Sequence, residues 1–156
     1  MAYLPSQDTV ILQIAKSGSS SLVKAASTLG ELTHLGHLPA SSHPVASRCI
    51  AVVRDPVGRL ISALNYYYRP QPVDDALRHA LKYRMGQSAF KPQSWYMDVN
   101  GIEVYSIDRI QDALSSIGYT GYAPRENASQ KWLTLDMVFR NKYFKRILET
   151  QQIARK

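Results

Sequence analysis

Between positions 16 and 21 the chain reads Lys16-Ser17-Gly18-Ser19-Ser20-Ser21, a cation, a glycine and four hydroxyls in one short stretch. Where such a turn opens a helix it binds anions. The first helical N–H groups lack an internal partner and carry the positive end of the helix dipole. Gly18 lets an anion approach the backbone, the serines offer hydroxyl donors, and Lys16 adds a full charge. The order of residues is informative. In the common nucleoside-triphosphate loop, G-x-x-x-x-G-K-[ST], the lysine follows the glycines. Here Lys16 precedes Gly18 and no glycine lies four to six residues upstream, which argues against a Walker-type ATPase or GTPase. A Ser-rich helix cap without a ligand would use the same residues.

A second constellation is Val52-Val53-Arg54-Asp55-Pro56-Val57-Gly58-Arg59. Arg54 stands where an apolar run ends, and in open α/β sheets ligands bind outside the carboxyl ends of strands. Its planar guanidinium suits a phosphate. Ser62 follows about two helical turns later and offers a hydroxyl to the same anion. A purely local role is the alternative: Asp55 caps the helix, and Arg54 or Arg59 pairs with a carboxylate.

These groups need elements to hold them. Val10-Ile11-Leu12-Gln13-Ile14 is a short apolar run of the buried, parallel-strand type, followed by helical spacing at Leu22, Ala25, Ala26 and Leu29 up to Gly30. A second short strand is expected over 32–38, then a Pro/Ser/Ala loop over 39–47. Cys49-Ile50-Ala51-Val52-Val53 repeats the buried-strand pattern. Asp55-Pro56 is a helix start, with Val57, Leu60, Ile61 and Leu64 on one face and Tyr66-Tyr67-Tyr68-Arg69-Pro70 at its end. Helices are predicted over 74–84 and 135–150, and a short one through Ile107, Ile110, Leu114 and Ile117 to Gly118. Asn100-Gly101 reads as a hairpin-type turn between strand-like pieces, with 102–107 a candidate sheet strand. Strands alternating with helices predict an α/β domain with a mainly parallel sheet.

The two constellations together resemble the cofactor-binding motifs of the sulfotransferases that use 3′-phosphoadenosine 5′-phosphosulfate (PAPS). Ala15-Lys16-Ser17-Gly18-Ser19-Ser20-Ser21 is similar to P-K-[ST]-G-[ST]-[ST]-[ST], with Ala15 in place of Pro. Residues 53–64 are similar to V-R-D-P-x-x-R-x-x-S-A-Y, with Leu64 in place of Tyr and Gly58 where Glu is common. Weaker likeness continues at Lys91-Pro92-Gln93-Ser94, as in the carbohydrate-acting branch, at Ile107-Asp108-Arg109-Ile110, and at Pro124-Arg125-Glu126-Asn127-Ala128-Ser129. The chain is short for the family. The resemblance implies a three-layer, P-loop NTPase-like fold: a parallel β-sheet flanked by helices, in one domain over 1–156.

The resemblance also assigns roles. Residues 17–21 would hold the 5′-phosphosulfate, and Lys16 would sit at the bridging oxygen, where charge grows as the S–O bond breaks. Arg54 and Ser62 would bind the 3′-phosphate that distinguishes PAPS from ATP. Arg125 and Lys131 are candidate additional phosphate contacts. The acceptor hydroxyl needs a general base, and Glu31, His34, His37 and His43 are the candidates. His suits the task by its pKa. His37 is favoured and His34 comes second, because His37 lies nearer the end of the expected strand. No metal is implied, since His34-x-x-His37 has no third partner. Tyr66, Tyr67, Tyr68, Trp95 and Tyr96 would pack in the core or stack on adenine or a sugar face. The function implied is sulfuryl transfer from PAPS to an acceptor hydroxyl, on a carbohydrate, with PAP as product. The alternatives are a non-catalytic nucleotide-binding module of the same fold and a small-molecule kinase.

Composition sets the outer bounds. The 156 residues carry a net charge of +7, 45% hydrophobic types and 20% charged types, which suits a folded globular protein. No run is long and apolar enough to span a membrane, and the N-terminus lacks the basic-then-apolar pattern of a signal peptide. A lone Cys49 fits a reducing compartment, so a cytoplasmic location is expected. The cations are spread along the chain apart from a looser concentration over 131–156. No Lys/Arg run marks a nucleic-acid arm and no apolar run spans a membrane, so neither partner is expected, only a small-molecule or glycan acceptor.

Overall fold

The computed structural model describes residues 1–43, 46–124 and 131–152. The chain divides into two compact units, Met1–Arg54 with Trp95–Asn127, and Asp55–Ser94 with Ala128–Lys156.

The first unit is built on a five-stranded mixed sheet flanked by helices. Its strands are β1 (Ala2–Leu4), β2 (Thr9–Leu12), β3 (Thr33–His34), β4 (Arg48–Val53) and β5 (Glu103–Ser106), in spatial order β3-β1-β2-β4-β5. The β2, β4 and β5 strands are parallel, in the register Ile11↔Ile50 and Ala51↔Val104. The apolar runs of β2 and the centre of β4 are buried on both faces, as expected for parallel strands, whereas β5 is half-buried to exposed at the edge. On one face Ile11, Ile50 and Val52 pack against α1 (Ser19–Ala26) through Leu22, Ala25 and Ala26, and against α5 (Ile110–Ser116) through Ala113 and Leu114. On the other, Val10, Leu12 and Ala51 pack with Ile14, Ala40 and Tyr96. That inversion at successive positions is the period of two expected of strands. Helix α5 ends where Gly118 turns to φ +79° and Tyr119 N–H donates to the Leu114 carbonyl at 3.0 Å.

The sheet is not wholly parallel, and the reason lies at the N-terminus. Residues 2–4, read as no element from sequence, form β1 and pair antiparallel with β2, Ala2 opposite Ile11. Pro5 starts a tight turn, and Asp8 closes it in a left-handed conformation at φ 45°. This hairpin occupies the edge of β2 where a further parallel strand would have docked. The strand expected over 32–38 shrinks to Thr33–His34 and pairs antiparallel with β1. Strand β2 ends at Leu12, so Gln13 and Ile14 belong to the turn that follows. The segment before Asn100-Gly101 is not strand but the short helix α4 (Gln93–Tyr96), so no hairpin forms there.

The second unit is helical. In α2 (Pro56–Tyr67), Asp55 caps the first turn by accepting from the Gly58 N–H at 2.5 Å, with Pro56 at the first helical position as expected. Helix α3 (Val73–Tyr83) buries Ala76, Leu77 and Ala80. Asn65 ties α2 to the chain at 132–133: its Oδ1 accepts from the N–H groups of Trp132 and Leu133, each at 2.9 Å. The single helix expected over 135–150 is two, α6 (Leu135–Val138) and α7 (Lys142–Gln152). Asn141 restarts the helix, its Oδ1 accepting from the Tyr143 N–H at 2.9 Å.

Candidate functional site

The turn between β2 and α1 has a definite shape. Lys16 and Gly18 both adopt left-handed backbone, at φ 64° and φ 94°, on either side of Ser17. Such changes of hand within a few residues turn successive amides to one side and make a concavity suited to an anion. A left-handed lysine costs energy, of order 1–3 kcal/mol, and strain of this kind concentrates at functional sites.

The serines divide into two sets. Ser17 and Ser19 are buried, and both hydroxyls donate to the Ile14 carbonyl, at 2.8 and 2.9 Å. They hold the turn together and, in this state, do not face outward as the sequence reading had them. Ser20 is exposed and Ser21 half-buried, so their hydroxyls remain for a ligand. The Ser17 and Ser21 amides are taken by the Ile14 and Gly18 carbonyls. The groups of this turn left to face an anion are the other amides that open α1 and the hydroxyls of Ser20 and Ser21.

Gly18 is required twice over. Its φ disfavours any side chain, and a Cβ there would lie 3.1 Å from Ile107 Cδ1, the residue that leads into α5. Gly18→Ala is expected to lower stability by about 1–3 kcal/mol. Urea unfolding checks this; an unchanged midpoint would contradict the packing role of Ile107.

The second strand end brings a second cation. Because β2 and β4 are adjacent and parallel, the turn after β2 and Arg54 after β4 leave the sheet at the same edge. The Arg54 charge acts on Lys16. The Lys16 ammonium is pushed below the ordinary lysine range, first by burial and then by the nearby Arg54 charge. A bound anion would relieve both costs.

His37 is brought to this edge and His34 is not. The His37 Nδ1 lies 2.5 Å from the carbonyl of Gln13, the residue that follows β2. A carbonyl only accepts, so Nδ1 carries the hydrogen and the neutral ring keeps its lone pair on Nε2. That leaves a base whose orientation is set by the backbone of the cradle strand. His34 sits opposite Ala2 on the outermost strand, exposed, with β1 between it and β2. Glu31 is exposed ahead of β3, and the His43 ring lies 5.0 Å from that of Tyr3. Long-range ¹H–¹⁵N spectra should show the neutral His37 ring protonated at Nδ1; a dominant Nε2–H form would contradict the Gln13 contact.

Ser62 lies half-buried on α2, in the second unit, while Lys16 and Arg54 belong to the first. Arg59 of the same motif is buried, donating to the Ser88 carbonyl at 3.3 Å, and so serves the packing of the second unit. Arg125 lies outside the described residues, and Lys131 is exposed. Tyr96 is core, whereas Tyr66 is largely exposed. Three contributors were not singled out from sequence: Ile14 and Gln13, through their carbonyls, and Ile107, through its side chain. None carries a chemical signal of its own, since two act by backbone and one by shape.

Comparison with protein-family models, with curated proteins and with solved structures finds no match to this chain. Among the described residues no helix is long and apolar enough to cross a membrane.

Proposed function

We propose that this chain is a small PAPS-dependent sulfotransferase with a P-loop-like sulfotransferase fold, acting on a hydroxyl of a carbohydrate. The observation that carries the reading is the pairing of Lys16 and Arg54 at one sheet edge, beside a strained, amide-lined turn. A half-buried Lys16 with the Arg54 charge close enough to disfavour its own fits a ligand with more than one anionic group. PAPS has anionic groups at its 5′ and 3′ positions and supplies an activated sulfuryl group.

On this reading the amides opening α1, with Ser20 and Ser21, hold the 5′ group. Arg54 takes the 3′-phosphate. Nε2 of His37 accepts the proton of the acceptor hydroxyl as that oxygen bonds to sulfur. Lys16 stabilises the negative charge that develops on the departing phosphate oxygen. Its partial burial strengthens that interaction, because charges attract more strongly away from water.

Calorimetry with PAP, AMP and ATP, followed by transfer of labelled sulfate from PAPS to a panel of glycans, tests the proposal. Tight PAP binding with transfer is the expected result. Binding without transfer to any acceptor would favour the non-catalytic module, and ATP bound more tightly than PAP would favour a kinase.

A further inference from the structure

We propose that the corner between α6 and α7 docks on an anionic lipid surface. Three large apolar side chains stand in solvent within five residues: Leu135 at 44%, Met137 at 47% and Phe139 at 65% exposure. Single exposed apolar residues are ordinary, but three within five positions put more apolar surface at this corner than a solvated turn needs. The corner that presents it is well anchored. Val138 and Phe144 are buried, the Phe139 N–H donates to the Leu135 carbonyl at 2.8 Å, and Asn141 caps α7.

Charge identifies the occupant. Arg140, Lys142, Lys145 and Arg146 are all exposed and follow directly, and Asp136 is the one acidic residue between 131 and 146. Two further acids bound the patch. Asp74 accepts from the Asn141 side chain at 2.5 Å, and Glu149 follows one turn after Arg146. On the cationic side, the Arg78 guanidinium lies 5.5 Å from the Tyr143 ring centroid. An apolar tip backed by cations is the pattern of a segment that lies in a headgroup layer, with its side chains in the acyl boundary and its charges on anionic lipids. A second copy of the chain is a poorer occupant, since a two-fold contact here would oppose like charges.

Sedimentation of the full chain with vesicles decides it. Vesicles of phosphatidylcholine with about 30% phosphatidylglycerol should bind at least about tenfold more tightly than phosphatidylcholine alone, and the preference should fade with salt. The double variant Met137→Ser/Phe139→Ser should lose at least about tenfold in affinity for the mixed vesicles. Lys145→Gln/Arg146→Gln should bind less and with a shallower salt dependence. Both sites are exposed, so thermal melts should match the parent and exclude misfolding. Three results would each overturn the proposal: equal vesicle binding by the Met137→Ser/Phe139→Ser variant, a parent dimer that this variant converts to monomer, or tight binding to duplex DNA with none to mixed vesicles.

Discussion

Replacing Lys16 by Ala should reduce sulfuryl transfer by roughly 10²–10³-fold, the scale on which loss of one preorganised charge-stabilising group is felt. Its effect on PAP affinity should be small, within about threefold, because the interaction strengthens chiefly as negative charge develops. The half-buried ammonium, held below its usual titration range by burial and by Arg54, is placed to act in this way. Fold stability should hold, since alanine keeps the left-handed strain at position 16 and the Ile14 carbonyl still gathers Ser17 and Ser19. Single-turnover transfer and calorimetry with PAP make the comparison. Equal losses in turnover and affinity would make Lys16 a binding residue only.

What could be read without coordinates follows from how local the physics is. The β2-turn-α1 and β4-α2 units were legible because each element is specified by its own residues. Apolar runs make buried strands, and Asp55-Pro56 starts a helix whose cap is then observed. Strand β1 was not legible: three residues ahead of Pro5 are too few for periodicity to register, and pairing with Ile11 is what makes them a strand. The same holds for Thr33–His34, polar and exposed, whose place depends on β1 and not on any pattern of its own. The parallel sheet was therefore overextended by one edge. The break at Asn141 was not read, because helical spacing continues on both sides of it and only the structure shows its side chain capping the second helix.

The site was legible in its charges and not in its orientations. Lys16, Gly18 and Arg54 stand out by type and order, and the sheet delivers them to one edge. A serine hydroxyl, by contrast, faces in or out according to which carbonyl is within reach. Ile14 captures two of them through a turn whose shape depends on two left-handed residues. The preference for His37 over His34 could be read from its place near the end of the expected strand, but the contact that fixes its ring, to Gln13 across 24 positions of sequence, is beyond what spacing can report.

Arg54→Ala should weaken PAP by about 10–100-fold, the equivalent of one or two charge-assisted hydrogen bonds. AMP lacks the 3′-phosphate and should bind the variant within about threefold of the parent. The contrast follows from where Arg54 stands, at the carboxyl end of β4, next in the sheet to the strand that leads into the amide-lined turn. Arg54→Lys should recover only part of the loss, since an ammonium keeps the charge without the planar fork. The same substitution to alanine removes a repulsive neighbour from Lys16, so the Lys16 ammonium should titrate at higher pH than in the parent. Two measurements thus separate two roles. Parallel losses for PAP and AMP would mean that Arg54 serves the 5′ site. An unmoved Lys16 titration would mean that the two cations do not share a field, and the paired-anion reading would then fail.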